Sequence, residues 1–215
     1  MKVTLAKLEK ELEGDLQIDN LYKSIYATDA SVYRELPLAV CYPKNETDIK
    51  RLIAFAKEKN IGLIPRTAGT SLAGQCVGDG IVVDVSRYFT KIIQINAGEK
   101  TVVVQPGIIR DDLNRVLKPY NLFFGPNTST SNRCMIGGMV GNNSSGTTSI
   151  RYGTTRDRLL KLKTILSDGS EAEFSALSSE EFDQKCLQED LEGSIYQSIK
   201  DLLSPAEVQQ EIWEK

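Results

Sequence analysis

Two glycine-rich segments carry the residue types that could hold a large polar ligand. The first, Arg66–Gly80, reads RTAGTSLAGQCVGDG. Gly69 and Gly74 stand at the G-x-x-x-x-G spacing of a phosphate-binding P-loop, but Gln75 and Cys76 occupy the places of its Lys and Ser/Thr. A lysine that reaches the β/γ-phosphates and a hydroxyl for Mg²⁺ are both missing, so nucleotide hydrolysis by the P-loop rule has no support. A glycine-rich turn between two strands can still expose successive backbone N–H groups as an anion nest. Glycine permits the backbone conformations and the close approach that this requires. Thr67, Thr70 and Ser71 add hydroxyl donors. The alternative for this loop taken alone is a tight surface turn. No G-x-G-x-x-G is present here, so a Rossmann nicotinamide site is poorly supported.

The second segment, residues 125–157, reads GPNTSTSNRCMIGGMVGNNSSGTTSIRYGTTRD. Gly137, Gly138, Gly141, Gly146 and Gly153 are interleaved there with Asn, Ser and Thr. Each feature has a plain alternative: close helix packing for Gly137-Gly138, a solvated loop for the NNSSG run, a wet basic face for Arg151, Arg156 and Arg158. Together with the first segment, about 60 residues upstream, they suggest a ligand long enough to touch both, such as a dinucleotide.

The elements that position these loops follow from periodicity and breakers. Leu5, Leu8 and Leu12 recur at helical spacing, so the first 15 or so residues form an amphipathic helix rather than a signal peptide. Asn45 followed by Asp48 starts a helix with Ile49, Leu52, Ile53 and Ala56 on its apolar face. It ends near Asn60-Ile61-Gly62. The runs 61–65 and 81–86 are short, apolar and bounded by Gly or Pro, and are read as buried strands. Further strands are expected at 91–96, 101–106 and in 159–174, with turns at 96–100 and at Asp168-Gly169, and a helix at 109–117. Residues 125–155 form a loop long enough to need a job. Beyond residue 175 the chain is polar and helical. Its last helix, expected from Ala206 to Lys215, lacks a closing signal and is read as cut inside a longer protein, the alternative being a helical tail.

Composition narrows the classes. The net charge of −3 at pH 7, without a long basic run, argues against a nucleic-acid partner. No run approaches the roughly 18 apolar residues of a membrane helix. Cys41, Cys76, Cys134 and Cys186 are widely spaced and histidine is absent, so no zinc ligand set is visible. The thiols are expected to be reduced and the protein cytoplasmic, with peripheral association to the inner face of a membrane left open. Without histidine the commonest general base is missing, so chemistry must come from a cofactor, carboxylates or residues outside this chain.

The segments YPKNETDIKRLIAFAKEKNIGLIPRTAGTSLAGQ and GPNTSTSNRCMIGGMVGNNSSGTTSIRYGTTRD resemble the FAD-binding domain of the FAD-linked oxidases, the vanillyl-alcohol oxidase and p-cresol methylhydroxylase superfamily. The branch they look most like holds the D-lactate dehydrogenases and glycolate oxidase flavin subunits, which residues 26–45 also resemble. The resemblance implies an α+β fold of the FAD-binding PCMH type, incomplete at its C-terminus. An α/β subdomain at 37–86 would follow a helical segment at 1–36. A mainly antiparallel β subdomain with helices would occupy 87–175, and a helical extension 176–215. It implies a flavin-dependent oxidoreductase acting on a small 2-hydroxy acid, with FAD held non-covalently and the substrate domain outside this chain. The electron acceptor is unknown, an iron–sulfur domain or subunit being one candidate. By position, Pro65, Arg66, Thr67, Ala68, Gly69, Thr70, Ser71, Gly74 and Gln75 would form the pyrophosphate loop. Pro126, Thr130, Gly137, Gly138 and Gly141 would line the diphosphate and ribityl path. Asn142, Ser145, Gly146 and Tyr152 would lie near the flavin ring. Ala68 stands where the family often has Gly, which a negative φ tolerates. Without histidine a histidyl link to flavin is impossible within this chain, and Cys76 and Cys134 are read as small buried hydrophobes rather than attachment points. No catalytic residue is assigned; the resemblance implies that such residues lie beyond Lys215. Two other readings stay open: a non-enzymatic nucleotide-binding module, and a nucleotide-binding protein with a degenerate P-loop.

Overall fold

The computed structural model describes residues 2–214, with side chains from Thr4 onward. The chain divides into two compact units at Leu159/Leu160. The first unit opens with α1 (Lys2–Glu11), β1 (Asp15–Gln17) and α2 (Asn20–Ile25). There follow β2 (Ala39–Tyr42), α3 (Glu46–Lys59), β3 (Leu63–Arg66) and β4 (Ile81–Asp84). These strands make one sheet in the order β1-β2-β4-β3, with β2, β4 and β3 parallel and β1 antiparallel at the edge.

Parallel strands flanked on both faces read as unbroken apolar runs, and every residue of β2 and β4 is buried. On one face Ala39, Cys41, Ile81 and Val83 meet Leu5 and Leu8 of α1 and Leu52 of α3. On the other, Val40, Tyr42 and Val82 meet Tyr22, Tyr26, Ile64 and Tyr88. The expected helix from Asn45 is present: the Asn45 side chain caps Asp48 N at 3.0 Å, and Asn60 closes it in the left-handed region at φ 52°. Asp48 is fully buried. Its carboxylate accepts from Glu13 N (3.0 Å), Gly14 N (2.9 Å) and Lys44 N (2.9 Å), tying the α1–β1 connection to the start of α3.

The first unit continues with β5 (Ile92–Asn96) and β6 (Thr101–Val104), an antiparallel pair, and then α4 (Arg110–Leu117). Leu113 and Leu117 of α4 pack with Ile108 onto Ile92, Ile95, Val102 and Val104. Next come α5 (Ile136–Gly141) and α6 (Ser149–Tyr152). The second unit holds the antiparallel pair β7 (Lys161–Ile165) and β8 (Glu171–Ser175), then α7 (Ser179–Cys186), α8 (Leu191–Leu203) and α9 (Ala206–Trp213). Ser178 and Glu181 form a capping box on α7, and Phe182 packs edge-on against Tyr196 of α8. Among the described residues no helix is long and apolar enough to cross a membrane.

Three readings need correction or restriction. Residues 1–36 are not wholly helical: β1 lies there, only three residues long and formed by pairing with β2 rather than by any pattern of its own. The 125–155 segment is not a plain loop. It coils into two short helices, described below with the site. The last helix, expected to run through Lys215, is described only as Ala206–Trp213, with Glu214 as its C-cap; Lys215 lies outside the described residues.

Candidate functional site

The chain leaves the sheet at the C-terminal end of β3, where open parallel sheets characteristically receive ligands. Gly69 and Gly74 both adopt left-handed backbone, at φ 66° and φ 70°. Among the described residues, the N–H groups of Gly69, Thr70 and Ser71 donate to no protein acceptor. Three successive free amides at a left-handed glycine are what a phosphate anion requires. Ser71 differs from expectation: its hydroxyl donates to Gln75 Oε1 at 2.8 Å and accepts from Ala73 N at 3.1 Å, so it shapes the loop from within. The Thr67 and Thr70 hydroxyls carry no protein hydrogen bond among the described residues.

Arg66 is the post around which this loop winds. Its Nη1 donates to Thr28 O at 2.9 Å and to Cys76 O at 3.4 Å. Its guanidinium lies 4.9 Å from the Tyr26 ring centroid, a cation–π distance. Tyr26 Oη donates to the buried Asp84 Oδ2 at 2.6 Å and accepts from Tyr42 Oη at 2.9 Å. Burial pushes the Tyr26 hydroxyl up in pKa, and the bond to Asp84 pushes it further, so it stays a donor. Burial likewise raises the Cys76 thiol, which makes it a poor nucleophile and agrees with its reading as a small buried side chain.

The structure brings the second segment to the first through α5. Gly137 N donates to Pro106 O at 2.8 Å, and a Cβ there would run into the Pro106 ring, so Gly137 serves close packing. Gly138 faces the first loop: a Cβ would sit 2.5 Å from Thr67 Oγ1. Past α5, Asn142 Oδ1 accepts from Gln75 Nε2 at 3.0 Å, and Asn142 Nδ2 donates to Ser144 Oγ at 3.0 Å. Gly141 has open space around it. Thr67, Gln75, Gly138, Gly141 and Asn142 therefore share one place.

Pro126, Gly146 and Tyr152 gather in a second cluster, with Thr130 and Ser145 outside it. Pro126 is fully buried, and its carbonyl accepts from Arg110 Nε at 3.1 Å. Gly146 is pressed against the Asn127 backbone, where no side chain fits. Thr148 Oγ1 lies 2.9 Å from Gly125 O and 2.7 Å from Asn127 Oδ1, locking 125–127 to the start of α6. Tyr152 packs edge-on against Phe123 with centroids 5.1 Å apart. Thr130 Oγ1 sits 3.1 Å from Thr128 Oγ1, and Ser145 is exposed.

Sequence reasoning passed over Tyr26, Asp84, Arg110, Asn127 and Thr148. Tyr26 and Asp84 meet across 58 positions, so nothing local marks them. Arg110, beside two aspartates, reads as an ordinary helix surface. It instead holds the carbonyls of Phe124 and Pro126 as well as Asp111.

A family model described as an FAD binding domain matches residues 37–175. The chain belongs to the FAD binding domain family. The first glycine-rich loop, α5 and the second cluster all fall inside the matched region of this FAD binding domain. FAD is its cofactor, and the chain's own residues fit the group chemically: the N–H groups of Gly69, Thr70 and Ser71 have no protein acceptor among the described residues, and a Cβ at Gly138 would run into Thr67 of the same loop. The chain is 37% identical over 192 residues to D-2-hydroxyglutarate dehydrogenase of Pseudomonas putida, covering 88% of this chain and 19% of that one. It is 33% identical over 152 residues to glycolate oxidase subunit GlcD of Bacillus subtilis, covering 70% of this chain and 32% of that one. Among solved structures, alkyldihydroxyacetonephosphate synthase superposes with a TM-score of 0.72 at 20% identity, over 84% of this chain and 35% of that one, a likeness of fold alone. The chain thus spans from about a fifth to a third of the length of these curated relatives.

Proposed function

We propose that this chain is the FAD-binding portion of a flavin-dependent oxidoreductase that oxidises a small 2-hydroxy acid. The observation that carries it is the convergence of Thr67 and Gln75 from one loop with Gly138 and Asn142 from the other. The naming of relatives for D-2-hydroxyglutarate and glycolate supports the substrate class. The loop after β3 would supply the diphosphate-binding amides, and α5 with the residues after it would line the cofactor's path, all within the first unit, whose boundary at Leu159/Leu160 falls inside the expected 87–175 subdomain.

When bound, FAD supplies the two-electron chemistry. This chain's residues bind and orient. The amides of Gly69, Thr70 and Ser71 hold the diphosphate, assisted by the Thr67 and Thr70 hydroxyls, and Arg66 places positive charge behind them. Gly138 and Gly141 keep the path free of side chains. Carried over from the family resemblance, Asn142, Ser145 and Tyr152 would border the isoalloxazine end. A phosphate that is held and never cleaved has no use for a P-loop lysine or for Mg²⁺. Groups that contact the hydroxy acid are proposed to lie beyond Lys215, in the part of the polypeptide corresponding to the remaining length of the relatives. The compartment proposed is the cytoplasm.

The complete polypeptide carrying this chain tests the reading. Purified after FAD addition, it is expected to show flavin absorption, bleached without oxygen by D-2-hydroxyglutarate, glycolate or D-lactate. A protein that takes up no flavin refutes the site; flavin that no 2-hydroxy acid bleaches refutes the substrate class.

A further inference from the structure

We propose that residues 26–33, which precede the matched family region, belong to the FAD site: they set the diphosphate loop's shape by backing both of its left-handed glycines. The inference rests on the reading that the loop from Thr67 to Gln75 holds the diphosphate.

Each glycine has its own support from this segment. Gly69 curls over the Arg66 guanidinium, so closely that a Cβ would collide with it. That guanidinium is seated from beneath by the Tyr26 ring and the Thr28 carbonyl. Tyr26 is itself pinned by Asp84, whose other oxygen accepts from Ser86 N at 2.7 Å. Gly74 rests on Tyr33, with a Cβ placed 2.8 Å from ring atom Cδ2.

The segment is built to stay in place. Ser31 N donates to Asp29 Oδ1 at 2.8 Å, and Tyr33 N donates to Ser31 Oγ at 3.1 Å. Glu35 N donates to Ala27 O at 2.9 Å, and Thr28 bridges Arg34. Cys76 Sγ approaches Asp29 Oδ2 at 3.6 Å, tying the far end of the glycine loop to the same turn.

Tyr33 is the informative member because the residue is 59% exposed. A side chain so exposed adds little to the core, so its seat under Gly74 is not explained by folding stability. It is explained if the loop must be held ready before the cofactor arrives, since a ligand's apparent affinity falls with the fraction of protein in the competent shape. Tyr26, Thr28 and Tyr33 are positioning residues, acting through Arg66, Gly69 and Gly74.

The test is FAD affinity measured by flavin fluorescence on the full chain, with the cofactor-free melting temperature recorded alongside. Tyr33→Ala is expected to weaken FAD binding by roughly tenfold, as a drop of the competent fraction to about one tenth requires. Its melting temperature is expected to match the parent, and Tyr33→Phe to bind as the parent does. Gly69→Val separates the two levels of the argument. If Gly69→Val loses FAD while Tyr33→Ala binds like the parent, the buttress is refuted and the loop assignment stands. If Gly69→Val also binds like the parent, the loop assignment is wrong and the buttress falls with it.

Discussion

Gln75 Nε2 donates to Asn142 Oδ1 at 3.0 Å, joining the two glycine-rich segments across 67 positions of chain. Ser71 orients Gln75 through its amide oxygen, and Asn142 reaches on to Ser144, so the link is one step in a polar chain crossing the site. A net hydrogen bond of this kind contributes about 0.5–1.5 kcal/mol. Gln75→Ala and Asn142→Ala are each expected to weaken FAD binding by about two- to tenfold. The double variant is expected to lose less than the sum, because both single changes break the same link. Titrating all four proteins with FAD checks it; strict additivity would show that the link does not serve the cofactor.

Gly69→Val places a β-branched side chain at φ 66°, against the Arg66 guanidinium. Left-handed backbone costs a non-glycine residue about 1–2 kcal/mol. Relief by rotating the loop would turn the free amides away. FAD binding is expected to be abolished while the protein remains folded with a modestly lowered melting temperature, measured by flavin titration and thermal denaturation.

Asp48 predicts stability rather than binding. It is fully buried and accepts from three backbone N–H groups, with Arg51 Nη1 3.6 Å away. Asp48→Ala strands those donors, and hydrogen bonds to a charged group contribute about 1.5–3 kcal/mol each. Relaxation lets water recover part of that, so a loss of about 3 kcal/mol is expected. Urea unfolding followed by circular dichroism measures it, with Asp48→Asn expected to fall between parent and Ala.

The turn before α5 carries a pH dependence. Arg110 Nη1 donates to Asp111 Oδ1 at 2.9 Å and Ser131 Oγ donates to Oδ2 at 3.0 Å. The Arg110 guanidinium, with Ser131 assisting and burial opposing, holds the Asp111 carboxyl below its ordinary value of 3.8. A depressed carboxyl stabilises the fold in full above its unfolded pKa, and that stability drains as pH falls through the lower folded value. Between about pH 5 and about pH 3 the parent is therefore expected to lose more stability than Asp111→Asn. Urea midpoints at the two pH values decide; equal losses would show that the pair contributes nothing.

Elements with strong local signals were legible in the sequence. The helix Glu46–Lys59 declared both ends, through Asn45 as cap and Asn60 as a left-handed stop. The strands Leu63–Arg66 and Ile81–Asp84 were legible as apolar runs between breakers. The strand Asp15–Gln17 was not, because it is short and exists by pairing with Ala39–Tyr42. The helix Ile136–Gly141 was hidden for a different reason: half its residues are glycine, each about 1 kcal/mol less favourable than Ala in a helix. Its start is imposed by distant partners in the segment before α4, with Ile136 N donating to Ile108 O at 2.9 Å and Gly137 N to Pro106 O at 2.8 Å.

The sequence by itself determined the kind of site. The missing lysine removed support for hydrolysis by the P-loop rule, and two glycine- and hydroxyl-rich segments in order pointed to a long cofactor bound by backbone. Only the tertiary structure decided which residues meet. Thr67 faces Gly138, Gln75 reaches Asn142, and Tyr26 and Tyr33 stand behind glycines some 40 positions later in the chain. The division has a physical cause. Left-handed turns, caps and strand runs are set by covalent and near-neighbour sterics, which spacing records. Partners across the sheet are set by strand order and packing, and their pairing leaves no local trace in the spacing of residues.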